Sequence, residues 1–168
     1  MKVTVVGCGR WGTFIAWYLD SIGHEVVLYG RESSPHMERL RATRKNELLT
    51  LPGSIALTAS LEEIGKADAV VVSIPSQGLR KFLKEIKGRL VAGKPLVLCM
   101  KGLETGTGRR LTEVAGEVLE ELCPVAVWLG PGHVQEFCRG IPNCMVIDSR
   151  NQEIKERLGF LQSVGLEY

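Results

Sequence analysis

Gly7, Gly9 and Gly12 are spaced G-x-G-x-x-G, directly after four apolar or β-branched residues, Val3-Thr4-Val5-Val6. A helical pattern follows at once. In that strand-to-helix setting each glycine has a task. Gly7 permits the tight turn, Gly9 lets a pyrophosphate approach the backbone, and Gly12 lets helix and strand pack closely. The helix N-terminus then presents free N–H groups and a partial positive charge to phosphate oxygens. The spacing therefore predicts dinucleotide binding. Arg31 lies past the end of the next apolar run, where an adenosine ribose would sit. Sites for NAD place Asp or Glu there to bind the 2′-hydroxyl, whereas Arg suits the 2′-phosphate of NADP. Arg31, with Ser33 and Ser34 nearby, favours NADP or use of both cofactors over strict NAD; Glu32 stands one position late. Lys101 closes another apolar run and faces the same cleft, where an ammonium can bind phosphate or polarise a carbonyl. Gly130-Pro131-Gly132-His133 follows a further run. His133 is a candidate acid or base, with a structural place in the loop the favoured reading.

The elements that must position these residues follow from periodicity. Gly12, Ile15, Ala16, Leu19 and Ile22 share one face and predict a helix over residues 10–22, ended by Gly23. Phe14 and Trp17, with Tyr18 beside them, project from the opposite face. Either a later segment of the chain or a separate domain or subunit must cover them. Strands are expected at residues 25–29, 54–58, 68–74, 95–100, 124–129 and 143–148, with another starting at 165. Helices are expected over 35–49, after the N-cap Ser60, after the cap Ser76 with Leu79, Phe82, Leu83 and Ile86 as its stripe, over 111–122, and over 152–164. Strand alternating with helix predicts an α/β fold: a doubly wound, mostly parallel, Rossmann-like sheet with helices on both faces and right-handed crossovers. In such sheets ligands sit at the carboxyl ends of the strands.

Composition narrows the function. The chain has 168 residues, enough for one domain with a sizeable core. Lys plus Arg number 21 and Asp plus Glu 19, a net charge of +2 that argues for neither nucleic acid nor a membrane surface. No apolar run has the length of a membrane span, and the N-terminus enters a strand without a signal-peptide pattern, so a cytoplasmic protein is expected. The five cysteines, Cys8, Cys99, Cys123, Cys138 and Cys144, include no C-x-x-C, so no metal site or redox pair is expected.

Several of these motifs together resemble the N-terminal domain of NAD(P)-dependent glycerol-3-phosphate dehydrogenase. The match is carried by Gly7-Cys8-Gly9-Arg10-Trp11-Gly12-Thr13, Gly23-His24-Glu25-Val26, Leu51-Pro52, Ser73-Ile74-Pro75-Ser76, Lys101-Gly102-Leu103-Glu104, and Gly130-Pro131-Gly132-His133-Val134-Gln135-Glu136 with Gly140-Ile141-Pro142. They occur in the family's order over nearly the whole chain. The resemblance implies reversible hydride transfer between glycerol 3-phosphate and NAD(P), giving dihydroxyacetone phosphate, in the cytoplasm and for phospholipid precursors. By position, Gly7, Gly9, Arg10, Trp11, Gly12, Arg31 and Pro75 would meet the dinucleotide. Lys101 would lie between cofactor and substrate, Gly130 and Gly132 would line the substrate side, and Val134 would sit near the nicotinamide.

Three departures accompany the resemblance. The family commonly has Ser or Thr where Gly132 stands and Ala where Val134 stands, and the loop between Asn46 and Leu51 is shorter than usual. The family's second, all-helical domain supplies the general-base lysine and most phosphate-binding groups. This chain reaches Leu166-Glu167-Tyr168 about where that domain should begin. The expectation is a cofactor-binding domain that works with a helical partner domain; a homodimer is one assembly the resemblance allows. Two other readings stand beside it: the cofactor half of another hydroxy-acid or sugar dehydrogenase, against which the Lys101 block argues, and a non-catalytic, redox-sensing nucleotide module.

Overall fold

Val3, Val5 and Val6 are fully buried, as a strand covered on both faces of a parallel sheet requires. They belong to β1 (Lys2–Val6), the middle of the fold in a computed structural model that describes residues 1–141 and 144–159. The chain continues through α1 (Arg10–Ser21), β2 (Glu25–Tyr29), α2 (Pro35–Thr43), β3 (Ala56–Thr58), α3 (Glu62–Gly65) and β4 (Ala69–Val72). A 3-10 turn over Ser76–Gly78 leads into α4 (Leu79–Ile86). Then come β5 (Leu96–Leu98), α5 (Leu111–Leu119), β6 (Val125–Leu129), α6 (Val134–Cys138), β7 (Val146–Ser149) and α7 (Gln152–Leu158).

The sheet order is β3-β2-β1-β4-β5-β6-β7. Every pairing is parallel except β6 with β7, which is antiparallel, so the sheet is mostly parallel, as expected, with its one exception at the last strand. The connection from β6, which carries the five-residue α6, returns the chain in the opposite direction. The connection reverses between β1 and β4, which makes the crevice at their carboxyl ends the topological switch point.

Helices cover both faces. One core cluster joins Val3, Val5, Val71 and Val97 of the sheet to Leu19, Met37, Leu40, Ile154 and Leu158 of α1, α2 and α7. The other joins Val6, Val72, Leu96 and Leu98 to Ile64, Phe82, Leu83, Val114 and Leu119 of α3, α4 and α5. The stripe expected on α4 is present: Leu79, Phe82, Leu83 and Ile86 are all buried. Burial of roughly 1.5–3 kcal/mol per such side chain holds this helix without a side-chain cap. Ser76 therefore does not cap it and opens the 3-10 turn instead.

The aromatic face of α1 is covered from within the chain. Phe14 is 6% exposed, and its ring stacks on Phe137 of α6 with centroids 5.1 Å apart. Tyr18 meets Trp128 of β6 at 5.9 Å. Of the two expectations for this face, the later segment holds. Other boundaries are shorter than the periodicity suggests. α2 ends at Thr43 because Arg44 turns left-handed (φ 59°) and its guanidinium donates to the Pro52 and Ile55 carbonyls, closing the following loop. α5 ends where Glu120 and Glu121 adopt positive φ. Ser60 accepts from the Glu62 N–H at 3.3 Å, one residue ahead of the observed cap of α3. The end of the helix expected to reach 164, and the strand expected from 165, lie outside the described residues.

Candidate functional site

β1, β4, β5 and β6 are consecutive and parallel, so the segments after them emerge side by side at one edge. β2, on the other side of β1, adds its own exit. Along that edge stand Arg31, the glycine turn, Pro75, Lys101, and the Gly130–Val134 loop. The fold thus brings every residue singled out from sequence to one end of the sheet, in an order the topology dictates.

The glycine turn is fixed by main-chain contacts. Gly7 has φ +108°, and a Cβ there would overlap the Ser73 carbonyl oxygen of the β4 exit. A Cβ on Gly12 would overlap the Gly7 carbonyl oxygen. Both positions therefore need glycine for the fold itself. Gly9 differs: a Cβ would meet nothing within 4 Å, so the space beside it is open for a ligand. Gly9 is also the N-cap of α1 and makes no side-chain cap bond. The first turn of α1 holds no acidic residue, so its N–H groups and dipole are available to an anion. Arg10 is exposed at this end and makes no ion pair among the described residues. Thr13 is buried and donates through Oγ1 to the Cys8 carbonyl at 3.2 Å, bracing the turn. Trp11 is only half exposed: it packs on Phe14 at 5.4 Å and Phe137 at 6.1 Å, so one side of its ring is committed to the core.

At the β2 exit, Arg31 is exposed and unpaired among the described residues. Glu32 is bound by Arg41 at 2.5 Å, and that hydrogen bond and charge hold its carboxyl below the usual range. The acidic side chain closest in sequence to a ribose-reading position is thus turned toward α2. Ser34 is the N-cap of α2, with its Oγ 3.4 Å from Cys8 Sγ; Ser33 is exposed.

Lys101 is exposed at the β5 exit. Its loop turns at Gly102 (φ +107°) and is tied to the β4 exit by side chains that sequence reasoning did not single out. Gln77 Nε2 donates to the Leu103 carbonyl at 2.9 Å, and its Oε1 accepts from the Thr105 N–H at 2.8 Å. Arg80 grips Glu104 with two bonds, 2.7 and 2.8 Å, and also reaches Glu117 at 2.7 Å. Thr107 donates to Glu104 at 2.7 Å. These partners, Arg80 first, hold the Glu104 carboxyl down at about 2. Lys101 and Pro75 are therefore on one braced unit.

The β6 exit offers mainly main chain. A Cβ on Gly130 would lie 2.5 Å from the Cys144 carbonyl and 2.8 Å from Met145 Sδ, so packing against the return toward β7 already demands glycine. Gly132 is half exposed. His133 is the exposed N-cap of α6, and its N–H donates to Glu136 at 3.4 Å, in keeping with a structural place in the loop. Val134 is 6% exposed, its side chain in the core, which leaves its main chain as what it can offer a ligand. Among the described residues no helix is long and apolar enough to cross a membrane, and no three His, Cys, Asp or Glu side chains are grouped to hold a metal.

A doubly wound sheet with a glycine turn at its switch point, open beside Gly9, defines the class of dinucleotide-binding domains. The particular family follows from comparison. The family described as NAD-dependent glycerol-3-phosphate dehydrogenase N-terminus matches residues 2–155, and the chain belongs to it. It is 37% identical over 162 residues to a glycerol-3-phosphate dehydrogenase (NAD(P)+) of Parvibaculum lavamentivorans, covering 94% of this chain and 48% of that one. It is 35% identical over 171 residues to the enzyme of that name from Pseudoalteromonas translucida, covering 99% and 51%. The crystal structure of a glycerol-3-phosphate dehydrogenase from Coxiella burnetii shares the fold with TM-score 0.85 at 24% identity, over 96% of this chain and 51% of that one. A Dunaliella salina structure does so with TM-score 0.78 at 20% identity, over 97% and 32%. The chain spans about half the length of the curated relatives it matches.

Proposed function

We propose that this chain is the cofactor-binding part of an oxidoreductase that transfers hydride between glycerol 3-phosphate and NAD(P), giving dihydroxyacetone phosphate for phospholipid precursors in the cytoplasm. One observation carries the reading: the open space beside Gly9, at the N-terminus of α1, stands in the same edge as Lys101. Cys8, Cys99 and Cys123 are buried thiols, in keeping with a reducing compartment. The second half of the family's length, an all-helical domain, supplies the general base and completes the substrate site.

Bound NAD(P) supplies or accepts the hydride. The N–H groups at the start of α1, with Arg10 beside them, would hold the pyrophosphate, Gly7 and Gly12 shaping the turn and Gly9 keeping side chains out of the opening. Trp11 and Pro75 line the dinucleotide, and Val134 bounds the nicotinamide end. Arg31 pairs with a 2′-phosphate, which favours NADP or use of both cofactors. Lys101, exposed at the β5 exit, would donate hydrogen bonds to the substrate oxygen or phosphate and so orient and polarise it. The main chain at Gly130 and Gly132 lines the substrate side. Fluorescence titration with NADPH and NADH is the direct test. Saturable binding of both, with NADPH preferred, is expected; binding of neither removes the reading.

A further inference from the structure

The exit of β2 and the outer side of α4 share a depression of about 620 Å³ lined by Tyr29, Arg31, Lys81, Lys84 and Glu85. Three of these five side chains are cations. Arg31, Lys81 and Lys84 are exposed, and none makes a hydrogen bond or ion pair among the described residues. Their neighbours behave differently. Arg80 is bound to Glu104 and Glu117, and Lys87 to Glu120. Arg80 of α4 and Lys87 just past its end are thus neutralised, while Lys81 and Lys84 are left beside a third positive charge. Lys81 and Lys84 are three apart on one helix and repel each other. Glu85, four residues after Lys81, offsets part of this charge, and the balance in the depression remains positive.

The floor of the depression is firm. Tyr29 is 7% exposed and packs on Phe82, centroids 6.4 Å apart. Burial raises the Tyr29 hydroxyl from its ordinary value; Glu85 adds to this and Arg31 opposes it, so both charged groups act on that hydroxyl. β2 is next to β1 in the sheet, so the depression lies one strand from the glycine turn. An adenosine extending from a pyrophosphate at Gly9 toward Arg31 would bring its ribose here.

We propose that Lys81 and Lys84 join Arg31 in binding the 2′-phosphate of NADP, so that α4 as well as the β2 loop reads the difference between NADP and NAD. The inference rests on the dinucleotide reading above. A phosphate monoester carries up to two negative charges, and one guanidinium balances only part of that. Glu85 in the same depression repels the phosphate and moderates the preference, in keeping with a site that serves both cofactors.

The 168-residue chain is titrated with NADPH, NADH, 2′,5′-ADP and 5′-AMP at low and moderate salt. The readouts are the ratio of the NADH and NADPH dissociation constants and the matching ratio for the two fragments. Lys81→Ala and Lys84→Ala each lower both ratios about threefold at low salt, the size of an exposed charge pair, and the double variant lowers them about tenfold. The effect shrinks with added salt. Glu85→Gln moves the ratios the opposite way, about twofold. Melting temperatures of all variants are followed alongside. The proposal falls if the lysine variants leave both ratios unchanged, or if only Arg31→Ala alters them. Wild-type chain that binds neither dinucleotide removes this proposal together with the function it rests on. Wild-type chain that binds both, with ratios insensitive to Lys81 and Lys84, removes this proposal alone.

Discussion

At the β1–β4 end of the cleft the walls are main chain packed on main chain, with Gly7 set against the Ser73 carbonyl and Gly12 against that of Gly7. At the β5–β6 end they are loops tied by side chains: Gln77 to Leu103 and Thr105, Arg80 to Glu104, with Lys101 exposed beyond them. The first end is sterically fixed, with one opening beside Gly9. The second is braced from behind and open in front. A phosphate-binding turn gains from rigidity, because its donors must already point at the anion. A hydride-transfer site needs a second wall that excludes water and brings a base, and a single sheet edge provides only one. The proposed function divides the labour along this difference, with cofactor binding assigned to this chain and the chemistry to the remainder of the family's length.

The largest expected effect tests that division. Dihydroxyacetone phosphate reduction by this chain alone should fall about 10⁴-fold or more below an intact two-domain enzyme, since a positioned acid or base alone contributes about 10²–10⁴. NADPH binding should persist. Supplying a helical domain, fused or as a separate chain, should restore the rate. A rate from this chain within about tenfold of the intact enzyme, less than a single positioned base supplies, would place the catalytic groups here.

The next contrast lies within the glycine turn. Gly9→Val should fold and melt normally, because nothing lies within 4 Å of its Cβ, yet lose about 100-fold or more in NADPH affinity. Gly12→Ala should instead destabilise the fold by about 3 kcal/mol or more, since its methyl overlaps a backbone carbonyl that cannot yield cheaply. Thermal melts and calorimetric titrations separate the two. Equal losses of stability would mean that Gly9 is structural and that the opening beside it is not a ligand site.

The two ends were unequally legible in the sequence. The spacing of Gly7, Gly9 and Gly12 marks a strand-to-helix turn, and the turn is there, although the contact of Gly7 with the distant Ser73 carbonyl carries no sign in the spacing. The strand and helix periods likewise placed β1, α1, β2 and α4, because burial patterns repeat locally. The brace on the Lys101 loop joins Gln77 to residues 26 and 28 positions later, and a Gln in a polar turn carries no sign of that pairing. The packing need at Gly130 was hidden for the same reason, since Cys144 and Met145 reach it only after the chain reverses. That β7 is the antiparallel strand escaped because alternation of strand and helix does not give strand direction.

A smaller effect sharpens the cofactor side. Arg31→Ala should weaken NADPH about tenfold at low salt, with NADH affected much less, as expected for one charge-assisted pair at an exposed position. The measurement is the ratio of dissociation constants at two salt concentrations. Equal losses for both cofactors would mean that Arg31 supports the β2 loop and does not read the phosphate.

The smallest effect is one of pH, and it should distinguish the two ends without a ligand. Glu104 is held down at about 2 from an ordinary value of 4.5, chiefly by the hydrogen bonds from Arg80. A carboxyl with a depressed folded value stabilises the folded state when ionised. Its contribution is fully present above pH 4.5 and is lost as pH falls toward 2. The brace on residues 101–110 should therefore loosen in acid. The glycine turn is held by main-chain bonds, Gly7 N–H to Tyr29 and Thr13 N–H to Gly9, both 2.9 Å, and contains no titratable group in these bonds. Amide hydrogen exchange, corrected for intrinsic rates, should show protection at Glu104 and Gly108 falling between pH 5 and pH 3 while Gly7 and Thr13 keep theirs. Glu104→Gln should already be loosened at pH 7 and respond little to acid, because a neutral amide loses the charged half of the Arg80 grip at every pH. Parallel loss at both ends in the wild type would show that acid opens the whole edge together, and the contrast between a sterically fixed wall and a side-chain-braced wall would not stand.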